Sequence, residues 1–268
     1  MTTMRRGTAV GLAIAAVGLG SLVAAASQTA PAANEIVARS VAAHGGDRLS
    51  SWKTLTIKGT VAMQDGITYN GAYTLLAKAP DRVRVEHDAT ADRGRAFYEY
   101  YLNGGVAWTR RNLIPATFDA ARIQRWLDQC YGVAFYARPG VTLELKGEES
   151  IAWPPEPAGP SRTTDGGNAA APVTRRVWLI TATVDGETRE LAIDRETSRF
   201  LREVAGDTTR TYWDFASFDG VLMPTRILEI AKTRQGETRT PFTWTSVVHD
   251  APIEEWRFTE DMPAKPGR

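Results

Sequence analysis

Cysteine is all but missing from this chain. Cys130 is the only one in 268 residues, so no internal disulfide can form and the core must hold the fold unaided. Histidine is scarce too: His44, His87 and His249 are the only three, and they share no ligand spacing. The sequence has no G-x-S-x-G, no H-E-x-x-H and no phosphate-binding P-loop. It also lacks an excess of either charge. The 32 Lys plus Arg stand against 31 Asp plus Glu, which removes the concentrated basic face that a nucleic-acid partner requires. We therefore expect no enzyme, no metal, no cofactor and no nucleic acid.

The one long apolar run is at the start. Arg5 and Arg6 precede residues 7–26, which are rich in Ala, Val, Leu and Gly and end in Ala24-Ala25-Ala26. This is the layout of a cleaved signal peptide, residues 1–26. Gly7-Thr8 after the two arginines favours the general export route over the twin-arginine one. No Cys closes the run, so no lipid anchor is expected, and the mature product should be soluble and periplasmic. Residues 27–33 read as a flexible N-terminus and residues 34–268 as one domain. Residues 153–172, dense in Pro, Gly, Ala and Thr, read as a mobile insertion between strands.

What the chain has in quantity is alternation. In residues 55–63, Leu55, Ile57, Gly59, Val61 and Met63 alternate with polar or small residues, the period of a half-buried strand. Asp65-Gly66 turns that strand into residues 69–108, an antiparallel meander. There Val83, Val85 and His87 share one face, and Arg82, Arg84, Glu86 and Asp88 the other. Asn103-Gly104 marks a hairpin whose turn positions want φ > 0. Further strands are expected at 141–145, 173–184, 189–194, 200–204, 209–215, 222–231 and 240–248, with turns at Asp185-Gly186 and Asp219-Gly220. Trp256, Phe258 and Met262-Pro263 form a tail expected on the sheet edge.

Two helices interrupt the strands. Residues 34–44 put Ile36, Val37, Val41 and His44 on one side, and Gly45-Gly46 stops them. Residues 119–131 carry the stripe Ala120, Ile123, Leu127, Cys130, widened by Trp126 and Tyr131. Arg122, Arg125, Asp128 and Gln129 are opposite. Thr117 or Asp119 can cap the start, and Gly132 ends it. Such a stripe fits a movable lid over a concave sheet and a fixed core plug equally well. Long twisted sheets curl into barrels or half-barrels. The expected architecture is therefore mostly β, an incomplete barrel covered by short helices.

No constellation for catalysis emerges. Glu86 and Asp88 alternate away from His87, which reads as a surface or edge residue. Cys130 reads as a buried inert thiol, and His44 as a helix-end residue. Glu99 shares a strand face with Phe97 and Tyr101; buried inside a pocket it would point to chemistry, at the rim it would not. The aromatic weight is the positive signal. Tyr73, Phe97, Tyr98, Tyr100, Tyr101 and Trp108, with Ile123, Trp126 and Leu127 from the helix, are the candidate lining of an apolar, ligand-holding cavity. Phe135 and Tyr136 add to the group. Any one of them alone would be ordinary core.

Several stretches together resemble one family. AAHGGDRLSSWKTLTIKGT, YTLLAKAPDRVRVE, NGGVAW, IDRETSRFLRE and FDGVLMPTRI, spread over residues 35–263, are similar to periplasmic proteins of the outer-membrane lipoprotein carrier superfamily, the LolA/LolB-like group. The resemblance implies an unclosed antiparallel barrel whose helices cover an apolar concave face that holds acyl chains. It implies a carrier or sensor of a lipid, an acyl chain or a lipoprotein, with another envelope protein as a further partner. Residues 153–172 have no counterpart in that pattern. The alternative function is an envelope interaction module with a filled interior.

Overall fold

In a computed structural model that describes residues 31–64, 68–91, 94–153, 173–234 and 236–260, the alternating segments become thirteen strands of one antiparallel sheet. These residues belong to one compact unit, Pro31–Arg268. The expected signal peptide, the expected Asp65-Gly66 turn, residues 154–172 and Met262-Pro263 lie outside the described residues.

The chain opens with α1 (Ala33–Ala43) and the short α2 (Asp47–Ser50). Strands β1 (Thr54–Gln64), β2 (Thr68–Lys78), β3 (Arg82–Ala91), β4 (Gly94–Asn103), β5 (Val106–Arg111) and β6 (Ile114–Thr117) follow as a meander. Helix α3 (Ala120–Cys130) and a 3-10 helix, Gly132–Ala137, come next. The second meander is β7 (Thr142–Trp153), β8 (Val173–Val184), β9 (Glu187–Asp194), β10 (Phe200–Ala205), β11 (Thr208–Phe218), β12 (Val221–Thr233) and β13 (Gly236–His249).

The order in space is β6-β5-β4-β3-β2-β1-β13-β12-β11-β10-β9-β8-β7. First and last strands thus meet at the centre, and the two meanders run outward from that seam to edges at β6 and β7. Among the described residues those edges do not pair, so the sheet is open and curved. The chain between them, residues 118–141, must travel from one edge to the other. It does so across the concave face, which is why α3 lies there. At the seam the register shifts between Lys58 and Gly59. A Cβ on Gly59 would fall 1.9 Å from the Thr243 carbonyl oxygen, so only glycine allows this approach.

Local chemistry accounts for the element ends. Asp119 is the cap of α3, its Oδ1 accepting from the Ala121 N–H at 2.9 Å. Gly132, at φ 51°, ends the helix. Asp185-Gly186 and Asp219-Gly220 have φ of 50° and 82° in both turns, the conformation two-residue hairpins need. The hairpin after β4 is corrected by one residue. Asn103 pairs with Val106, so Gly104 and Gly105, at φ 55° and 82°, form the turn. Strand β6 was not expected; it follows a turn at Asn112-Leu113, φ 49° and 69°.

His44 joins α1 to the sheet. Its Nδ1 lies 2.8 Å from the Leu222 carbonyl, and its Nε2 accepts from the Phe200 N–H at 3.1 Å. Accepting at Nε2 means that Nδ1 donates, so the ring is neutral. Burial holds its pKa below the usual value, against the opposing pull of the Leu222 carbonyl.

Candidate functional site beneath the helix

Neighbouring residues of β3 and β4 face opposite ways, and the two faces have been built differently. Tyr100 points to α3, its ring 5.0 Å from Trp126 and 5.3 Å from Phe118. His87 lies on the same face, 5.8 Å from the Tyr100 ring and 5.4 Å from that of Tyr73. This corrects the expectation of a surface histidine: His87 is only 7% exposed. Its face of β3 is the concave one, which it shares with Val83 and Val85; those two apolar neighbours are the signal that the sequence carries for it.

Beneath α3 these residues enclose a cavity of about 120 Å³. Tyr73, Leu75 and Val85 come from the first meander, and Ile227, Phe242 and Trp244 from the second. Trp126 and Cys130 close it from above. A larger cleft of about 580 Å³ adjoins it and is mostly polar, bounded by Arg125, Glu187, Asp207 and Thr208. Cavity and cleft share Arg122, Trp126, Gln129, Arg210 and Glu229.

Burial acts on His87, Arg210 and Cys130 in the cavity wall, which also carries Arg122, Gln129, Tyr212, Glu229 and Thr240. Burial pushes His87 down to about 4, the nearby Glu229 opposing it, so the ring is neutral at pH 7. Its Nδ1 is buried without a hydrogen-bond partner. Arg210 donates from Nε to Glu229 Oε2 at 2.6 Å and from Nη2 to the same oxygen. Burial disfavours its charge, but Glu229 more than compensates and holds the guanidinium above its usual value. Its Nη1 is buried and unpartnered. Burial pushes the Cys130 thiol up to about 12, with Asp128 adding to it, so the thiol is inert as expected.

A second polar group lies behind the cavity. Tyr136 donates to Glu203 Oε1 at 2.6 Å and Tyr212 to Glu203 Oε2 at 3.1 Å. Arg189 Nη1 is 3.5 Å from the same carboxylate. Burial, then Glu203, pushes both phenols well above their usual range. Asp128 was assigned to the polar side of α3, yet it is 9% exposed, and burial raises its carboxyl.

The outer face carries the rest of the aromatic cluster. Tyr101 and Trp108 stack at 4.7 Å and are fully buried there, away from α3. Glu99, 0% exposed, accepts from Arg84, Arg110 and the Tyr101 hydroxyl. It is not in the cavity, and its surroundings are a closed ion cluster. The C-terminal segment covers this face: Phe258 is fully buried, Arg84 donates to the Arg257 carbonyl and Trp108 to that of Glu260. The tail therefore lies over β3–β5 and not on the sheet edge.

Of the nine candidate residues, Tyr73, Tyr100 and Trp126 line the cavity. Ile123 and Leu127, at 0% exposure, belong to the core that anchors α3. Tyr98 shares the Tyr100 side of β4, with Arg111 over its ring. Phe97, Tyr101 and Trp108 are on the Glu99 side, because odd positions of β4 pair outward with Arg84 and Arg110. Sequence reasoning missed Arg210, Glu229, Phe242 and Trp244. Inward alternation of β11–β13 is the signal for them, but only the β1–β13 pairing brings them under α3. Among the described residues no group of His, Cys, Asp and Glu could hold a metal, and no helix is long and apolar enough to cross a membrane.

No protein-family model and no curated protein matches this chain. Solved structures do. A DUF1329 family protein from Desulfovibrio piger superposes with a TM-score of 0.54 at 12% identity, over 85% of this chain and 96% of that one. A LolA superfamily protein from Nitrosomonas europaea gives a TM-score of 0.54 at 14% identity, over 87% of this chain and 99% of that one.

Proposed function

This chain has a LolA/LolB-like fold, and from that premise we propose that it is a periplasmic, non-enzymatic carrier or sensor of a lipid, an acyl chain or a lipoprotein. The observation that carries the reading is the apolar cavity beneath Trp126, opening on a polar cleft. Burying hydrocarbon there yields about 0.8 kcal/mol per methylene. The cavity of about 120 Å³ takes the end of an acyl chain. In this reading the rest of the chain is admitted by displacement of Trp126, with α3 acting as a lid. The polar end of the ligand remains in the cleft.

The test is to express the full chain with its own leader, purify the protein from the periplasm and record native mass spectra before and after solvent extraction. A lipid adduct that extraction removes, and uptake of a fluorescent acyl probe by the extracted protein, are expected. A bare protein mass with no probe uptake rejects the carrier.

One observation favours a second reading, an envelope interaction module. Among the described residues strand β6 is a short edge with no strand beyond it, and Leu113 and Ile114 at its start are 70% and 71% exposed, an open template for a partner strand. Under that reading Leu113→Asp abolishes a crosslink to an envelope protein and leaves lipid content unchanged.

A further inference from the structure

Most of the cavity wall is apolar, and its titratable groups other than Arg122, the tyrosines and Cys130 gather at one place. There Arg210, Glu229 and His87 meet among Ile57, Val85 and Ile227. Arg210 spends Nε and Nη2 on one oxygen of Glu229, and its Nη1 is left buried with nothing to donate to. His87 Nδ1 is left in the same condition. An orphaned buried donor costs about 1–3 kcal/mol, more when charged, so a pure hydrocarbon would leave that cost standing. We propose that this spot is a subsite for an uncharged acyl carbonyl, the ester or amide that joins an acyl chain to its parent molecule, and that it discriminates against the carboxylate of a free fatty acid. The proposal rests on the carrier reading and gives its ligand a chemical class.

The discrimination follows from charge. Glu229 already balances the Arg210 guanidinium, and Glu203 acts on the same guanidinium as a second anion. His87 brings no positive charge, since burial keeps it neutral. An incoming carboxylate would find an N–H to accept from but no unmatched cation at that spot, since Arg122 is exposed on the cleft side, and it would face the Glu229 carboxylate, with Glu203 beyond it, across a poorly solvated gap. A carbonyl needs only the N–H. An ammonium group is excluded from the other side, because the vacant groups include a donor that it cannot satisfy. The rest of an ester-bearing molecule leaves through the side shared with the cleft, past Arg122 and Gln129.

The experiment compares glycerol monolaurate with laurate at pH 7.5, by calorimetry on the delipidated protein. The same measurement is made on the double variant Arg210→Met with Glu229→Leu. The ester is expected to bind the parent at least about tenfold tighter than the acid, a gap set by the cost of bringing a second carboxylate up to Glu229, and the variant is expected to lose the gap while still binding the chain. Isotope-edited infrared of carbonyl-labelled ester on the parent protein guards against a variant that does not fold: the carbonyl band should move to the lower frequency of a hydrogen-bonded ester. Laurate binding as well as or better than the ester, a gap that survives in the variant, or a carbonyl band at its hydrocarbon position overturns the subsite while leaving the carrier intact. Failure of both probes to bind overturns both.

Discussion

Two buried ion clusters sit on opposite faces of this sheet, one on β3–β5 and the other on β11–β12, and they differ in completion. On the outer face Glu99 is met by Arg84, Arg110 and Tyr101, and Glu260 closes the group over both arginines. On the concave face the Arg210–Glu229 pair leaves Nη1 unmet, and His87 beside it is unmet at Nδ1. On the outer face Arg84 Nε and Arg257 Nε also lack a hydrogen bond, but every arginine there has a carboxylate partner; under the carrier reading, stability rests on that face and ligand contact on the concave one. Alternation lets Glu99 and Tyr100, adjacent in the chain, serve the two ends separately.

The sharpest way to break this comparison is Glu99→Ala. It leaves Arg84 and Arg110 in a buried site short of their central anion, and should cost on the order of 3–5 kcal/mol, read as a lower urea midpoint. Affinity for an acyl probe should be unchanged in the folded fraction. Lost affinity at full stability would reverse the roles of the two faces.

Acid should act next, and from the concave side. His87 titrates near its ordinary value of 6.5 when unfolded and at about 4 when folded. Its folded pKa is depressed, so its contribution is whole above pH 6.5 and is lost as pH falls toward 4, amounting to roughly 3 kcal/mol. His44, also depressed by burial, adds in the same direction. Denaturant titrations of the parent and of His87→Phe between pH 7.5 and 4 should show the smaller loss in the variant. Parallel losses would mean that water reaches His87 freely.

Trp126→Ala is expected to cost less, about 2 kcal/mol, because the ring is only partly buried. For a lid, the variant keeps its strand signature in far-UV circular dichroism while retained lipid drops. A sharp fall in melting temperature that lipid does not relieve, with retained lipid unchanged, makes α3 a plug. Smallest of all is the effect of Arg210→Met with Glu229→Leu on stability, within about 1 kcal/mol either way, since replacing a buried ion pair by apolar groups of similar size is often neutral. A large loss in calorimetric unfolding would move that pair into the same structural class as Glu99.

Local features were legible in the sequence, and long-range ones were not. Asp185-Gly186 and Asp219-Gly220 announce their turns because few residues tolerate φ > 0 twice in succession. The stripe of α3 announces its buried side through Ile123 and Leu127. The four exposed residues of β6, with Pro115 among them, carry no alternation to read. Which side of β3 and β4 is concave depends on the crossing of residues 118–141 and on the tail that reaches Arg84 from Glu260. Both are matters of topology, and Trp108 was assigned to the wrong surroundings for that reason. The shared family pattern conveyed the fold, since it is written in turns and strand ends. The polar floor is written in β11–β13 and needs the seam to become visible.

That seam has a consequence for how the molecule comes into being. Strand β1 is among the first made and β13 among the last, yet the two are partners at the centre of the sheet. A chain that emerges N-terminus first has β1–β6 available long before β13 arrives. During that interval the β1 edge, with Leu55, Ile57 and Val61 along it, stands open to any other strand. Pairings so distant along the chain form slowly, and an open apolar edge is an aggregation hazard while it lasts. The central position of β13 therefore makes the yield of folded protein depend on the arrival of that one strand, and gives a holdase its greatest use while it is still on its way.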